Sequence, residues 1–283
     1  MRKLAMVIIN YNDYDTTKKL IDNIKNYKIL DKIIIVDNAS TDNSYNKIKK
    51  LTNEKIILIR TDENKGYASG LNYGAKYAMG TLDNPIIIFS NTDIIINSED
   101  DLVKLRDTIN TKVKVVGPVV NEHGNLNRGW KMTTPYIETL SNLPLISRYF
   151  KRKLLYYTDD YYKGKISNVD VVSGCFFLVD GKTLKEINFF DENTFLYYEE
   201  FIISSKIKEK NKKVVINNEV EIIHDHSVTI DKSVKRINKY KILKTSQRYF
   251  VKNYLKANIF QLILLWLTNK LSLIILYIRC LFK

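Results

Sequence analysis

Four short runs in the first hundred residues, AMVIIN, KIIIVD, EKIILIR and NPIIIFS, are apolar on consecutive positions, and the stretches between them, such as 15–27 and 66–79, carry a helical pattern. A strand apolar on both sides must be covered on both sides, and strands joined through helices pair in parallel. The chain is thereby restricted to an α/β fold with a mainly parallel central sheet flanked by helices. In open sheets of this kind ligands bind beyond the carboxyl ends of the strands. Three of the runs end on small polar groups: Asn10-Tyr11-Asn12, Asp37-Asn38-Ala39-Ser40 and Asn91-Thr92-Asp93. These strand ends are the first candidates for a binding site, and the pattern is that of a nucleotide-binding sheet.

The remainder divides into two further blocks. Residues 96–170 read as a charged helix near 98–110, a strand at 113–120, and a loop-rich aromatic region. From 170, VDVVSGCFFLVDGKTLKEI reads as strand, turn and helix, followed by the helix start at Glu199-Glu200 and the strand EIIH. We therefore expect a nucleotide-binding half over 1–95, a second half over 96–231, and a basic, apolar helical tail over 232–283. At 283 residues and 45% hydrophobic content the core can be substantial. The opening MRKLAMVIINYN has too short an apolar run for a signal peptide and reads as a first strand. Cys175 and Cys280 have neither metal nor redox spacing, so no disulfide framework is expected and a cytoplasmic setting is the default.

A formal net charge of +14 calls for a polyanionic partner: nucleic acid, anionic lipid or a phosphorylated small molecule. Nucleic acid is disfavoured, because the densest basic run lies outside the α/β core, leads directly into apolar segments, and comes with no nucleic-acid-binding signature.

Several residues are candidates for chemistry. Asp93 ends the strand in IIIFSNTDIII, where an ionised carboxylate among isoleucines needs a partner; it reads either as a turn or capping residue or as a ligand for a divalent cation on a diphosphate. Glu199 and Glu200 either complement a helix dipole or include a general base whose pKa is raised by crowding. His224 and His226, two of three histidines, flank Asp225 with strand spacing that turns both rings to one side; they read either as structural residues or as contacts to a metal or phosphate. Gly66, Gly70 and Gly74 recur on one helical face, which suits close packing, while the helix start suits a phosphate.

Taken in order, VIINYN, IIIVDNASTDNS, NKGYASGLNYGAKYA, IIIFSNTD, VSGCFFLV, FFDENTFLYYEE and IIHDHSVT resemble the family 2 glycosyltransferases with the GT-A fold, in particular the rhamnosyltransferase-like bacterial branch that builds surface polysaccharides. The resemblance spans roughly residues 5–230. It implies that Asn10, Tyr11, Asn12, Asp37, Asn64, Gly66, Asn91, Thr92, Asp93, Ser173 and Gly174 bind a nucleotide sugar. It also implies that Asp93, with His224 and His226, holds Mg2+ or Mn2+, and that Glu200 or Glu199 is the base. Asp93 matches the last acid of the family's Asp-x-Asp motif, whose first acid is here Asn91. Where many relatives carry a further acid two residues after the base, this chain has Ile202. The implied reaction is inverting transfer from a nucleoside-diphosphate sugar, dTDP-rhamnose or a UDP-sugar, to a lipid-linked saccharide. A catalytically silent glycosyltransferase-like scaffold is the alternative.

Residues 232–256 carry nine Lys or Arg, and 259–278 are apolar apart from Gln261, Thr268, Asn269, Lys270 and Ser272. This tail is expected to form two shorter helices lying on the anionic inner face of the cell membrane, with Trp266 and Tyr277 at headgroup level; the alternative is a helical hairpin that closes on the core or on another subunit. Truncation after Tyr240 is then expected to leave a soluble domain that still hydrolyses its donor.

Overall fold

The computed structural model describes residues 2–143, 153–225 and 233–281. The four apolar runs form β1 (Leu4–Asn10), β2 (Lys32–Asp37), β3 (Ile56–Arg60) and β4 (Ile86–Ser90), all parallel and ordered β3-β2-β1-β4. Their carboxyl ends therefore share one edge, with Asn10 in register with Asp37 and Asp37 with Arg60. Helices α1 (Tyr14–Ile24), α2 (Ser44–Lys49) and α3 (Tyr67–Thr81) make the crossovers.

Strand alternation sends successive side chains to opposite layers. Leu4, Met6 and Ile8 pack with Leu20, Ile21 and Ile24 of α1, whereas Ala5 and Val7 pack with Ala68, Leu71 and Ala75 of α3. Small residues on α3 let it lie close to the sheet: a Cβ on Gly74 would come within 2.4 Å of Val7.

Beyond β4 the sheet becomes mixed. β5 (Ile94–Ile96), α4 (Glu99–Thr108), β6 (Val113–Glu122), β7 (Asn125–Asn127) and α5 (Pro135–Leu140) lead to β8 (Ile166–Val169) and β9 (Phe176–Asp180). Strand β9 runs antiparallel between β4 and β6, so the loop before it meets the end of β4. Then follow α6 (Gly181–Glu186), α7 (Glu199–Glu209) and β10 (Lys213–His224), whose last residue pairs with Ile94 beside Asp93. Both cysteines are free.

The tail differs from expectation in two respects. Its apolar part is one uninterrupted helix, α9 (Ile259–Leu281), preceded by α8 (Ser233–Asn253). Asn269 and Lys270 do not divide it, because neither breaks a helix as Pro or Gly would. Thr268 and Ser272 turn inward, buried with Leu265, and Asn142 Nδ2 donates to Thr268 Oγ1 at 3.0 Å, while Lys270 stays exposed over the Trp266 ring. The helix packs on α5 and α8.

Nor is α8 a detachable appendage. Phe250 and Val251 are fully buried in a third core cluster with Tyr198, Ile202 and Leu265. Cutting after Tyr240 would remove that cluster's aromatic centre, so the expectation of an intact truncated enzyme is withdrawn.

Candidate active site

Two parts of the site lie on the sheet edge. In the first, Asp37 has no exposed surface (0%). Its carboxylate accepts from Asn10 Nδ2 at 2.9 Å and from the Ser40 backbone N–H at 3.2 Å, and pairs with Arg60 Nε at 3.4 Å. Asn10 is equally buried and also bonds Ser40 Oγ and Thr17 Oγ1. Asn12, at φ 54°, accepts with Oδ1 from the Thr41 N–H at 2.8 Å and the Asp42 N–H at 3.2 Å, and Tyr11 is exposed beside it. Asn38 Nδ2 donates to Asn64 Oδ1 and to the Gly66 carbonyl. Gly66 is required here: its φ is 107°, and a Cβ would lie 2.3 Å from the Phe195 carbonyl.

The second part gathers segments distant in sequence. The Asn91 N–H donates to the Cys175 carbonyl at 2.8 Å, which brings Ser173, Gly174 and Cys175 against the end of β4. Ser173 Oγ and Cys175 Sγ lie 3.2 Å apart. Thr92 Oγ1 donates to Asp13 Oδ2 at 2.8 Å. Asp93 Oδ1 lies 3.1 Å from His224 Nε2, and His224 Nδ1 lies 3.3 Å from Glu122 Oε1. Burial alone would lower the His224 pKa, but hydrogen bonding and charge from Asp93 and Cys175 raise it to about 11. His226 lies outside the described residues.

The described residues supply only part of a divalent-cation site. Among the described residues no three His, Cys, Asp or Glu side chains cluster as a complete ligand set. Two adjacent ligands on an octahedral ion at 2.0–2.1 Å lie about 3 Å apart, which the Asp93–His224 spacing of 3.1 Å matches. Mg2+ is commonly held by one or two protein groups with substrate phosphates and water supplying the rest.

Beside this lies a cavity of about 200 Å³ walled by Tyr67, Leu71, Asn91, Gly174, Phe177, Phe190, Leu196, Tyr197, Glu199 and Glu200. Both glutamates sit in the first turn of α7. Burial, and then the charge of Glu200, raise the Glu199 carboxyl from 4.5 to about 8. Burial raises Glu200 to about 7. Glu199 Oε1 is buried with no hydrogen-bond donor. Gly174 lies against Glu200: a Cβ there would be in ordinary contact with its Oε2, at 3.4 Å. Tyr67 Oη donates to Asn91 Oδ1 at 2.7 Å, tying the cavity to the strand end. Tyr67, Arg60 and Glu122 were not singled out from the sequence; Tyr67 follows Gly66 within a stretch already flagged, but its direction depends on the turn.

A paired carboxyl site with raised pKa, next to a strand-end Asn-Thr-Asp and beyond a nucleotide-type sheet edge, is an arrangement for group transfer. Residues 5–187 match glycosyl transferase family 2. The chain belongs to that family. It is 23% identical over 233 residues to the low-salt glycan biosynthesis hexosyltransferase of Haloferax volcanii, covering 80% of this chain and 68% of that one. It is 27% identical over 161 residues to the UDP-N-acetylglucosamine–dolichyl-phosphate N-acetylglucosaminyltransferase of Methanococcus voltae, covering 51% and 57%. Among solved structures, a mannosyltransferase of Pyrobaculum calidifontis bound to GDP-Man and Mn2+ superposes over 98% of this chain and 74% of that one, with a TM-score of 0.62 at 17% identity. TarS of S. aureus, solved with UDP-GlcNAc, covers 89% and 67% at a TM-score of 0.56 and 13% identity. The fold of this family 2 member is GT-A, and its function is glycosyl transfer.

Proposed function

We propose that this glycosyltransferase moves a sugar from a nucleoside-diphosphate donor to a lipid-linked saccharide with inversion, by a single displacement. The observation that carries the reading is the Glu199–Glu200 pair in its cavity. A general base works best with a pKa near the working pH. Burial raises both carboxyls, and Glu200, which matches the position of the family's base, takes the proton from the acceptor hydroxyl with Glu199 beside it. The acceptor oxygen then attacks the anomeric carbon, and the nucleoside diphosphate departs.

Tyr11 and Asn12 border the nucleoside, with Asn10, Asp37 and Asn64 shaping the loops around it. Gly66, Thr92, Ser173 and Gly174 line the path toward the sugar. Asp93 and His224, with His226 from the adjoining segment, would hold Mg2+ or Mn2+. That cation, when bound, neutralises charge developing on the leaving diphosphate.

For the donor, the branch resemblance favours dTDP-rhamnose, while the proteins compared above bind GDP-Man or UDP-GlcNAc. A dolichyl-phosphate acceptor in one relative's name supports a lipid-linked acceptor here. Helix α9 supports work at a membrane surface. Ile259–Cys280 is long and apolar enough to cross a bilayer by length and composition. However, its polar stripe is docked on the catalytic domain, and its outward face carries Phe260, Ile263, Trp266, Leu267, Ile274 and Ile278. A helix held in this way lies along the interface, with exposed Lys239, Lys241, Lys252 and Lys256 toward anionic lipid. The reading places the enzyme on the inner face of the cell membrane.

The test is release of nucleoside diphosphate from a panel of dTDP-rhamnose, GDP-mannose and UDP-N-acetylglucosamine, with and without Mn2+. Hydrolysis of one donor that Glu200→Gln abolishes supports the reading. No turnover with any donor, with or without anionic vesicles, favours the silent scaffold, a reading that Asn91 in place of the first motif acid keeps in play.

A further inference from the structure

The two residues ahead of the carboxylate pair, Tyr197 at φ 75° and Tyr198 at φ 73°, both lie in the left-handed region. Neither is a residue that adopts it readily, so the turn must be held by its surroundings. Tyr198 is the N-cap residue of α7, yet its side chain makes no capping bond. Its ring turns away from the cavity into the third core cluster, 5.3 Å from the Phe250 ring and 5.5 Å from that of Phe201. Tyr198 Oη donates to Glu138 Oε2 at 2.5 Å, and Gln247 Nε2 donates to the same oxygen at 2.7 Å. Glu138 and Gln247 are themselves buried. One turn of α8 adds a backbone hold, since Ser246 Oγ donates to the Leu196 carbonyl at 2.8 Å. From the opposite side the Tyr67 N–H donates to the Phe195 carbonyl at 2.8 Å.

We infer that α8 belongs to the catalytic machinery: Gln247 and Glu138, acting through Tyr198, are positioning residues that present Glu199 and Glu200 to the acceptor. The inference rests on reading that pair as the site of the general base. Its physical basis is that a strained turn relaxes when its anchor is released. If Tyr198 leaves its pocket, the turn returns to ordinary φ values and the first turn of α7 unwinds, carrying both carboxylates toward water. Misplacement of a reacting group by about 1 Å can lower a rate by about 10²-fold. Water entry would also restore ordinary carboxyl ionisation, because burial is the leading cause of the raised values. The titratable groups around the pair are Tyr67, Asp93, Cys175, Tyr197 and Tyr198, with Glu138 behind Tyr198.

The test uses the full chain and compares Tyr198→Phe and Gln247→Leu with Arg248→Ala, a change on the exposed side of α8. Turnover is read as nucleoside diphosphate release from the same three-donor panel with Mn2+. The Glu199 and Glu200 carboxyls are titrated in parallel by 13C NMR, which reads the geometry without turnover. Both network variants should lower kcat by at least about tenfold, with donor KM within about threefold, and shift the pair's titration down toward ordinary carboxyl values. Arg248→Ala should change neither. Turnover within twofold of wild type and an unmoved titration in Tyr198→Phe would overturn the proposal. Turnover lost with the titration unmoved would also overturn it, leaving a packing role. Should Gln247→Leu not fold, Tyr198→Phe decides, since it removes one oxygen and keeps the ring. Full activity in both Glu199→Gln and Glu200→Gln would instead remove the base assignment beneath the inference.

Discussion

Asp37 and the Glu199–Glu200 pair are both carboxylates taken from water, and their surroundings are opposite. Asp37 is met by an amide, a backbone N–H and a guanidinium. Glu199 keeps a buried oxygen with no donor, faces a second carboxylate, and responds by holding its proton to about pH 8. A buried charge that is fully paired shapes the loops at the end of β2. One left unpaired is available to exchange a proton. The difference separates architecture from chemistry within a single sheet edge, and mutation can test it.

The largest effect is expected from Glu200→Gln, which should lower kcat by about 10²-fold or more with little change in donor binding, as for a group acting in the transition state. If Glu199→Gln does this instead, the order within the pair is reversed. Asp93→Ala should follow, with a loss of tenfold or more in turnover and loss of the response to added Mn2+. Retained metal dependence in that variant would place the cation elsewhere.

Next comes pH. Turnover needs Glu200 ionised, so it should rise with pH through about 7, and this limb should vanish in Glu200→Gln. Stability should move the other way. The folded state keeps protons on the pair that the unfolded chain releases near the ordinary value of 4.5. Stability is therefore fully present below 4.5 and falls as pH rises to about 8. Glu199→Gln should flatten this decline and raise Tm at pH 8, as expected when an active site is built at the expense of stability. A lower Tm in Glu199→Gln would break the comparison.

Asp37→Asn should behave oppositely: a stability loss of about 1–3 kcal/mol from the unsatisfied Arg60 and loop groups, a raised donor KM, and kcat little changed. The smallest effect on turnover belongs to the outer face of α9. Phe260→Glu with Trp266→Glu should abolish sedimentation with anionic vesicles while leaving donor hydrolysis intact.

Much of this was legible in the sequence where the signal is local. Consecutive β-branched residues located β1 to β4 and their order along the chain, and the polar residues that end those strands marked Asn10, Asp37 and Asp93 as belonging to one edge. The Glu-Glu pair at a helix start was equally visible. Period and composition determined these because a strand covered on both sides has few other ways to be written.

What only the tertiary structure decided is which polar groups meet. The turn before antiparallel β9 brings Gly174 to Glu200 and Cys175 to Asn91, while β10 carries His224 to Asp93, the last two being contacts between residues more than eighty positions apart. The inward turn of Thr268 and Ser272 on α9, and the hold of α8 on Tyr198, were hidden for the same reason. A side chain's partner is set by packing across the whole chain, and a linear pattern records only which residues are polar, not what they will face.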